Sequence, residues 1–286
     1  MLLLYPKILN FSTIMLQKLP TTTKDGDRVD KKYFQKEEIE KLCPFIRAEI
    51  LEECDSTSTL LKKRAEEGQG EFFVLFSKSQ SAGRGRMGKS FISKKGGLYF
   101  SIILRPENLI KNSIFITPAA AVAAAKAIEK ISGKEAKIKW VNDIFIADKK
   151  VCGILCESRL DLENSAAEYV ILGVGINVFR PKGGYEKEIE NIADALFSSD
   201  ENGQAYLLLA AEFLNNFKEY YEKIEKKQYM KEYIDRSYLK NKEISFFKDS
   251  KFHSARVVDT DMDGNLIIEE NGERKRLYSG EVSVKI

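Results

Sequence analysis

The run Gly83-Arg84-Gly85-Arg86-Met87-Gly88 alternates glycines with two arginines, residue types that together hold anions. Glycines let a backbone approach a ligand closely, and guanidinium forks match the paired oxygens of a carboxylate or a phosphate. The run is read neither as a Walker A loop, by its spacing, nor as a dinucleotide-binding turn, because no strand runs straight into a helix here. Taken alone, it fits an anion clamp or a solvated loop. A second segment, Lys139 to Glu157, alternates as a hairpin turning near Asp148; Lys150 opens the returning strand and Gly153 lies inside it. A lysine beside an anion clamp would act as a point charge on a phosphate or carboxylate and stabilise charge in a phosphoryl or nucleotidyl transition state. An ordinary turn lysine is the plainer reading. In the third segment, Val170 to Val178, Gly173 and Gly175 share one face of an apolar strand that ends in Asn177. Such a face is either a groove for a flat apolar ligand or a tightly packed core strand. Together the three describe a glycine-lined slot, an arginine clamp and a lysine, which suits an apolar acid activated on its carboxylate by a nucleotide.

These groups need a frame. The chain has 286 residues, 43% hydrophobic and 31% charged, which excludes intrinsic disorder and allows one large domain plus a small one. A formal net charge of +3 gives no reason to expect nucleic acid or an anionic membrane as partner. The single histidine, His253, excludes a histidine-based metal cluster, and four cysteines at irregular spacing indicate neither a disulfide framework nor a zinc ribbon. No carboxylate cluster marks a metal site either. Hydrophobic periodicity predicts an α+β fold with a mixed, mainly antiparallel sheet. Residues 1–45 read as a lead-in with one short helix, Gln35 to Leu42; residues 46–238 as the main domain; residues 239–286 as a small β-barrel docked on it, with turns at Asp263-Gly264-Asn265 and Asn271-Gly272. Within the main domain the pattern gives a strand from Ile46, a helix from Thr57 to Glu67 capped by Ser56, and a long loop from Ser81 to Gly97. An alanine-rich helix opened by Thr117 and Pro118 follows, and helical segments resume at Ile189 and run to about Tyr238. Trp140, the sole tryptophan, reads as a core anchor or a pocket wall, His253 as a surface residue without a partner, and Cys152 and Cys156 as buried small hydrophobes.

With GRGRMG, KWVND and GVGINV in this order, the sequence resembles the biotin protein ligases, also called biotin–[acetyl-CoA-carboxylase] ligases, over about Ile46 to Ile286. The resemblance implies a catalytic domain of class II synthetase type followed by an SH3-like barrel. It implies ATP, Mg²⁺ and biotin as reactants, biotinyl-5′-adenylate as intermediate, and a lysine of a biotin carboxyl carrier domain as acceptor. By the same resemblance Ser56, Thr57, Ser58 and Gln80 would bind the biotin ring system. Arg84, Gly85 and Arg86 would hold its carboxylate and the phosphates, with Lys150 and Gly153 beside them. Lys150 looks like the catalytic lysine, assisted by Arg86. Phe91 would stand against the adenine, and Asn142, Asp143 and Asn177 would contact the nucleotide. Three positions depart from the family pattern: Val141 replaces a proline, Ser58 an asparagine, and Phe91 a frequent tryptophan. Mg²⁺ is expected to arrive bound to the nucleotide phosphates.

Two other functions compete. Lipoyl or octanoyl ligases share the fold and move an apolar acid onto a carrier lysine, but the Arg-Arg…Gly-Gly-Gly…His-Asp run that marks lipoyl ligases is missing. A non-catalytic biotin-sensing or scaffold protein would bind ligand without releasing pyrophosphate. The polar lead-in predicts no winged helix and hence no DNA binding, and no apolar segment predicts a membrane span. The cysteine usage predicts a reducing cytoplasm, and a homodimer joined through sheet edges is compatible with the residues. The clustered Arg274, Lys275 and Arg276 are a candidate contact for an acidic carrier domain.

Overall fold

The structure, a computed structural model, describes residues 33–106, 109–161, 166–198, 204–248, 250–278 and 282–284. The lead-in before residue 33 therefore lies outside the described residues. A short helix α1 (Lys36–Leu42) begins at Gln35, whose N–H donates to the Glu38 carboxylate at 2.7 Å. Strand β1 (Arg47–Leu51), helix α2 (Thr57–Glu66) and strands β2 (Phe73–Ser77) and β3 (Gly97–Leu104) follow. The Ser56 hydroxyl accepts the Thr59 N–H at 3.4 Å and caps α2, as its sequence position predicts.

After the long helix α3 (Leu109–Ser132) come β4 (Lys137–Lys139), β5 (Asp143–Ile146), β6 (Lys149–Asp161) and β7 (Ala166–Asn177). Ala147 and Asp148 both have positive φ, which closes β5 on β6 in a two-residue turn. The seven strands form one sheet in the order β1-β2-β3-β7-β6-β5-β4, antiparallel except for the β1–β2 pair.

Strand alternation sorts the side chains onto two faces. Val74, Phe76, Ile102 and Leu172 point to the main core, where the alanines of α3 are fully buried and α4 (Ala205–Glu222) packs behind them. Leu75, Ile103 and Ile171 point the other way, onto Leu61 and Ala65 of α2. Helix α2 covers only part of that second face. The remainder carries Gly173, Gly175 and Gly153, and there the functional cavity lies.

Helix α3 starts at Leu109 instead of Thr117, with Pro118 inside it. The proline removes one backbone bond, but Phe115 and Ile116, 5% and 0% exposed, anchor the turn before it and carry the helix through. Residues 189–198 form turns instead of the expected helix. Ile192 and Asp194 are drawn into backbone bonds of 2.8 and 3.0 Å with Lys150, so the first residues of β6 take bonds a helix needs.

Helix α5 (Met230–Asp235) leads to a five-stranded antiparallel sheet of β8 (Glu243–Lys248), β9 (Lys251–Thr260), β10 (Leu266–Glu270), β11 (Glu273–Leu277) and β12 (Val282–Val284), in the order β11-β10-β9-β8-β12. This antiparallel sheet is consistent with the SH3-like unit that the family resemblance implies. It meets the larger sheet where the Trp140 indole donates to the Gly264 carbonyl at 2.8 Å, beside a Lys227–Asp263 ion pair of 2.7 Å. His253, expected to lack a partner, pairs with Glu270 at 2.8 Å and stacks on Phe246. Lys275 and Arg276 are likewise engaged, by Glu270 at 2.9 Å and Asp261 at 3.5 Å. Among the described residues no helix is long and apolar enough to cross a membrane.

Candidate active site

The floor of the site is set by pairing across the sheet. Gly153 of β6 faces Gly175 of β7, and Gly173 faces Ser101 of β3, so three glycines and a serine leave a patch without bulk. The aromatic ring of Phe91 lies on that patch. A Cβ built on Gly175 would stand 2.5 Å from the ring and one on Gly153 2.8 Å from it, so both positions require glycine for close approach. Around this floor is a cavity of about 170 Å³.

The arginine loop forms one wall. Gly83 to Ser90 fits the Gly-x4-Gly-Lys-Ser spacing of a Walker A loop, yet the backbone does not run from strand to helix as such a loop must. It doubles back as a small hairpin, in which Phe91 N–H donates to Gly83 O at 2.8 Å and Gly85 N–H to Lys89 O at 2.7 Å. A Cβ on Gly83 would meet Phe91 O at 2.3 Å, which fixes glycine at the base of the hairpin. The exposed tip is Met87, held at φ 55°. Arg84 on the first arm of this hairpin and Arg86 at the start of its turn both reach the cavity. The Arg86 guanidinium donates to Asn142 Oδ1 at 3.3 Å, and Asn142 is itself fixed by donating to Ile154 O at 2.6 Å.

Lys150 enters from β6, its Nζ 2.7 Å from Asp143 Oδ1 and 5.5 Å from the centre of the Phe91 ring. Five cationic side chains, Arg84, Arg86, Lys89, Lys139 and Lys150, line the cavity against one carboxylate, Asp143. The local field therefore favours anions although the whole chain is nearly neutral.

Hydroxyls and an amide form the other end. Thr57 Oγ1 is 2.8 Å and Ser58 Oγ 3.0 Å from Ser101 Oγ, while Gln80 Oε1 accepts from Thr57 N–H at 2.8 Å and Gln80 Nε2 donates to Ser93 Oγ at 2.8 Å. These polar groups are buried yet paired, which fixes their directions. The arrangement offers directed hydrogen bonds at one end, an apolar middle over glycines, and cations at the other end.

Of the residues singled out from the sequence, Ser56, Thr57, Ser58, Gln80, Arg84, Gly85, Arg86, Phe91, Asn142, Asp143, Lys150 and Gly153 all line this cavity. Asn177 does not. It opens onto a smaller neighbouring pocket with Tyr99 and Tyr185, and its Nδ2 donates to Asp194 O at 3.1 Å. Lying two residues past Gly175, at the end of β7, it is carried beyond the patch that Phe91 covers. Its amide holds the turn that pairs with Lys150. Trp140 is both anchor and wall: it is 6% exposed and lines the cavity. Ser101 and Glu157, which hold site residues in place, are legible only in the folded chain, because their partners come from distant segments. Burial pushes the Cys152 and Cys156 thiols up, Cys156 to about 12, so neither provides a thiolate near neutrality. Among the described residues no group of three His, Cys, Asp or Glu side chains could hold a metal ion, and Asp143 is already engaged by Lys150. A protein-held Mg²⁺ does not fit this donor set.

Residues 51–177 match the Biotin/lipoate A/B protein ligase family. Among curated proteins, the Bifunctional ligase/repressor BirA of Bacillus subtilis is 37% identical over 142 residues, 49% of this chain and 43% of that protein. The Biotin–[acetyl-CoA-carboxylase] ligase of Paracoccus denitrificans is 32% identical over 131 residues, 45% of this chain and 53% of that one. The matches thus span about half the length of these relatives. Among solved structures, the biotin protein ligase from Aquifex aeolicus in complex with biotin and ATP superposes with a TM-score of 0.67 at 27% identity, covering 83% of this chain and 98% of that one.

Proposed function

Starting from a chain whose residues 51–177 carry a domain of the Biotin/lipoate A/B protein ligase family, we propose that this protein is a biotin protein ligase. In this reading it joins biotin to ATP as biotinyl-5′-adenylate and passes the biotinyl group to a lysine of a biotin carboxyl carrier domain. The observation that carries the reading is the meeting of Arg84, Arg86 and Lys150 with the hydroxyl chain of Thr57, Ser58 and Ser101 around one glycine floor. The structural relative from Aquifex aeolicus holds biotin and ATP, which supports both substrates here.

The acid lies along the floor with its polar ring against Ser56, Thr57, Ser58 and Gln80 and its carboxylate toward Arg84. A carboxylate oxygen attacks the α-phosphorus; the new O–P bond forms as the bond to pyrophosphate breaks. Lys150 and Arg86 stabilise the charge that develops on the phosphoryl oxygens, and Arg84 orients the nucleophile. Phe91 offers an aromatic face for the base, and Asn142 and Asp143 fix Arg86 and Lys150. Mg²⁺ would accompany the nucleotide, and no step is assigned to it here. In the second step the carrier amine attacks the acyl carbon and AMP departs. The protein's share is orientation and electrostatics, with no covalent bond to its own side chains.

The lipoyl or octanoyl alternative fits less well, because neither a dithiolane ring nor an alkyl chain brings amide-like donors and acceptors to the hydroxyls of Thr57 and Ser58. Carrier identity and homodimerisation belong to the proposal in general form only: an acceptor domain presenting one lysine, and a pairing through the edge strand β1, since the edge of β4 is already bonded by Arg236 and Tyr238. The four free cysteines suit a reducing compartment such as the cytoplasm. Incubation with ATP and a carrier domain, with biotin, lipoic acid or octanoic acid in separate reactions, tests the reading by intact mass. Biotin alone should add its acyl mass to the carrier. Modification by lipoic or octanoic acid in preference to biotin would move the protein to the alternative.

A further inference from the structure

We infer that Glu157 positions Arg84 for the acid's carboxylate, an assignment that rests on the ligase reading. Glu157 stands outside the cavity lining, on β6 opposite Ile171 and two residues beyond the lining residue Leu155. Strand alternation places it on the same face as Gly153 and Leu155. Its Oε1 meets Arg84 Nη2 at 3.0 Å and Lys62 Nζ at 2.8 Å.

One carboxylate thus ties together the arginine hairpin, the strand that begins beside Lys150, and the helix capped by Ser56. Those are the three elements that carry the clamp, the lysine and the hydroxyls. Arg84 is a long side chain on a loop, with much rotamer freedom to lose when a ligand binds. Fixing it beforehand lowers that cost, and one engaged nitrogen leaves the other donors of the fork for the acid. Lys62 on the same oxygen matters for charge. With two cations sharing one carboxylate the group stays net positive, so Arg84 keeps its attraction for an anion. The Glu157 side chain is 21% exposed against 43% for Arg84, so the carboxylate sits deeper than the guanidinium, and Arg84 is the one of the two that lines the cavity. Arg86 is held differently, by the neutral amide of Asn142 at 3.3 Å.

The test is biotin-dependent exchange of labelled pyrophosphate into ATP, measured across biotin concentrations. For Glu157→Gln the KM for biotin should rise about tenfold while kcat stays within about twofold, as expected when a positioning charge is lost and the chemistry is not. In an Arg84→Met background the same change should have no further effect, because Glu157 acts through Arg84. An unchanged KM, or an effect that adds in full to that of Arg84→Met, would overturn the assignment. Should Glu157→Gln fail to fold, Glu157→Asp serves instead: a smaller rise in KM supports the role and a wild-type KM removes it. If the unaltered protein shows no exchange, the ligase reading fails and this assignment with it. If the unaltered protein exchanges and the variant matches it, only the role of Glu157 is lost.

Discussion

At the residue scale the account turns on where charge is placed. Lys150, paired with Asp143 at 2.7 Å and 5.5 Å from the centre of the Phe91 ring, is the proposed stabiliser of the transferring phosphorus. Lys150→Ala should slow adenylate formation roughly 10²- to 10³-fold with the melting temperature unchanged, since the loss is one of transition-state charge stabilisation. Exchange near the wild-type rate would remove Lys150 from that role. Arg86→Gly should instead loosen retention: activated biotin should escape and label unrelated lysines in solution, and labelling confined to the carrier would show that Arg86 is no clamp. Gly175→Ala tests the floor. The added Cβ would lie 2.5 Å from Phe91, so the ring must move, and kcat/KM for ATP should fall on the order of tenfold to a hundredfold through misplacement of the nucleotide, with the fold retained. Unaltered kinetics in that variant would mean that Phe91 does not set the nucleotide's place.

At the scale of elements, much could be read from the chain itself. The alternating runs and the Ala147–Asp148 turn placed Lys150 correctly at the start of β6, and the glycine pair of β7 marked the floor. The hairpin form of the arginine loop was not legible. Its spacing admits a phosphate loop, and only the contact of Gly83 with Phe91 O decides the backbone path. The early start of α3 was hidden because proline is a strong local signal, whereas the burial of Phe115 and Ile116 depends on partners far along the chain. Asn177 is a similar case. Its strand was read correctly, but a shift of two residues along a strand is about 7 Å, enough to leave one cavity for the next. Ser101 and Glu157 carry no motif, and their roles arise from contacts 43 to 95 residues away in sequence.

For the whole molecule, carboxylates held by arginines set the response to acid. Arg64 bonds hold the Glu49 carboxyl below its usual range. Burial pushes Glu129 up, but bonds from Arg236 and the Ala136 N–H outweigh it, and it too lies below the usual 4.5. Such groups contribute stability that is present in full above the unfolded-state value and is lost as pH falls through the lower folded-state values. The melting temperature should therefore be level from neutrality to about pH 5 and drop below about pH 4.5, less steeply in Glu129→Gln. Melts followed by fluorescence of the sole tryptophan would check this, and a level melting temperature down to pH 3 would contradict it. That tryptophan also joins the two sheets to the site, since Trp140 lines the cavity and donates to Gly264 of the C-terminal sheet. The central claim, that the sheet gathers an acid and a nucleotide at one point, is tested most directly by exchange of labelled pyrophosphate into ATP. Label should enter ATP only when biotin is present, and neither octanoate nor lipoate should replace it. Exchange without dependence on biotin, or none at all with both substrates saturating, would contradict the account.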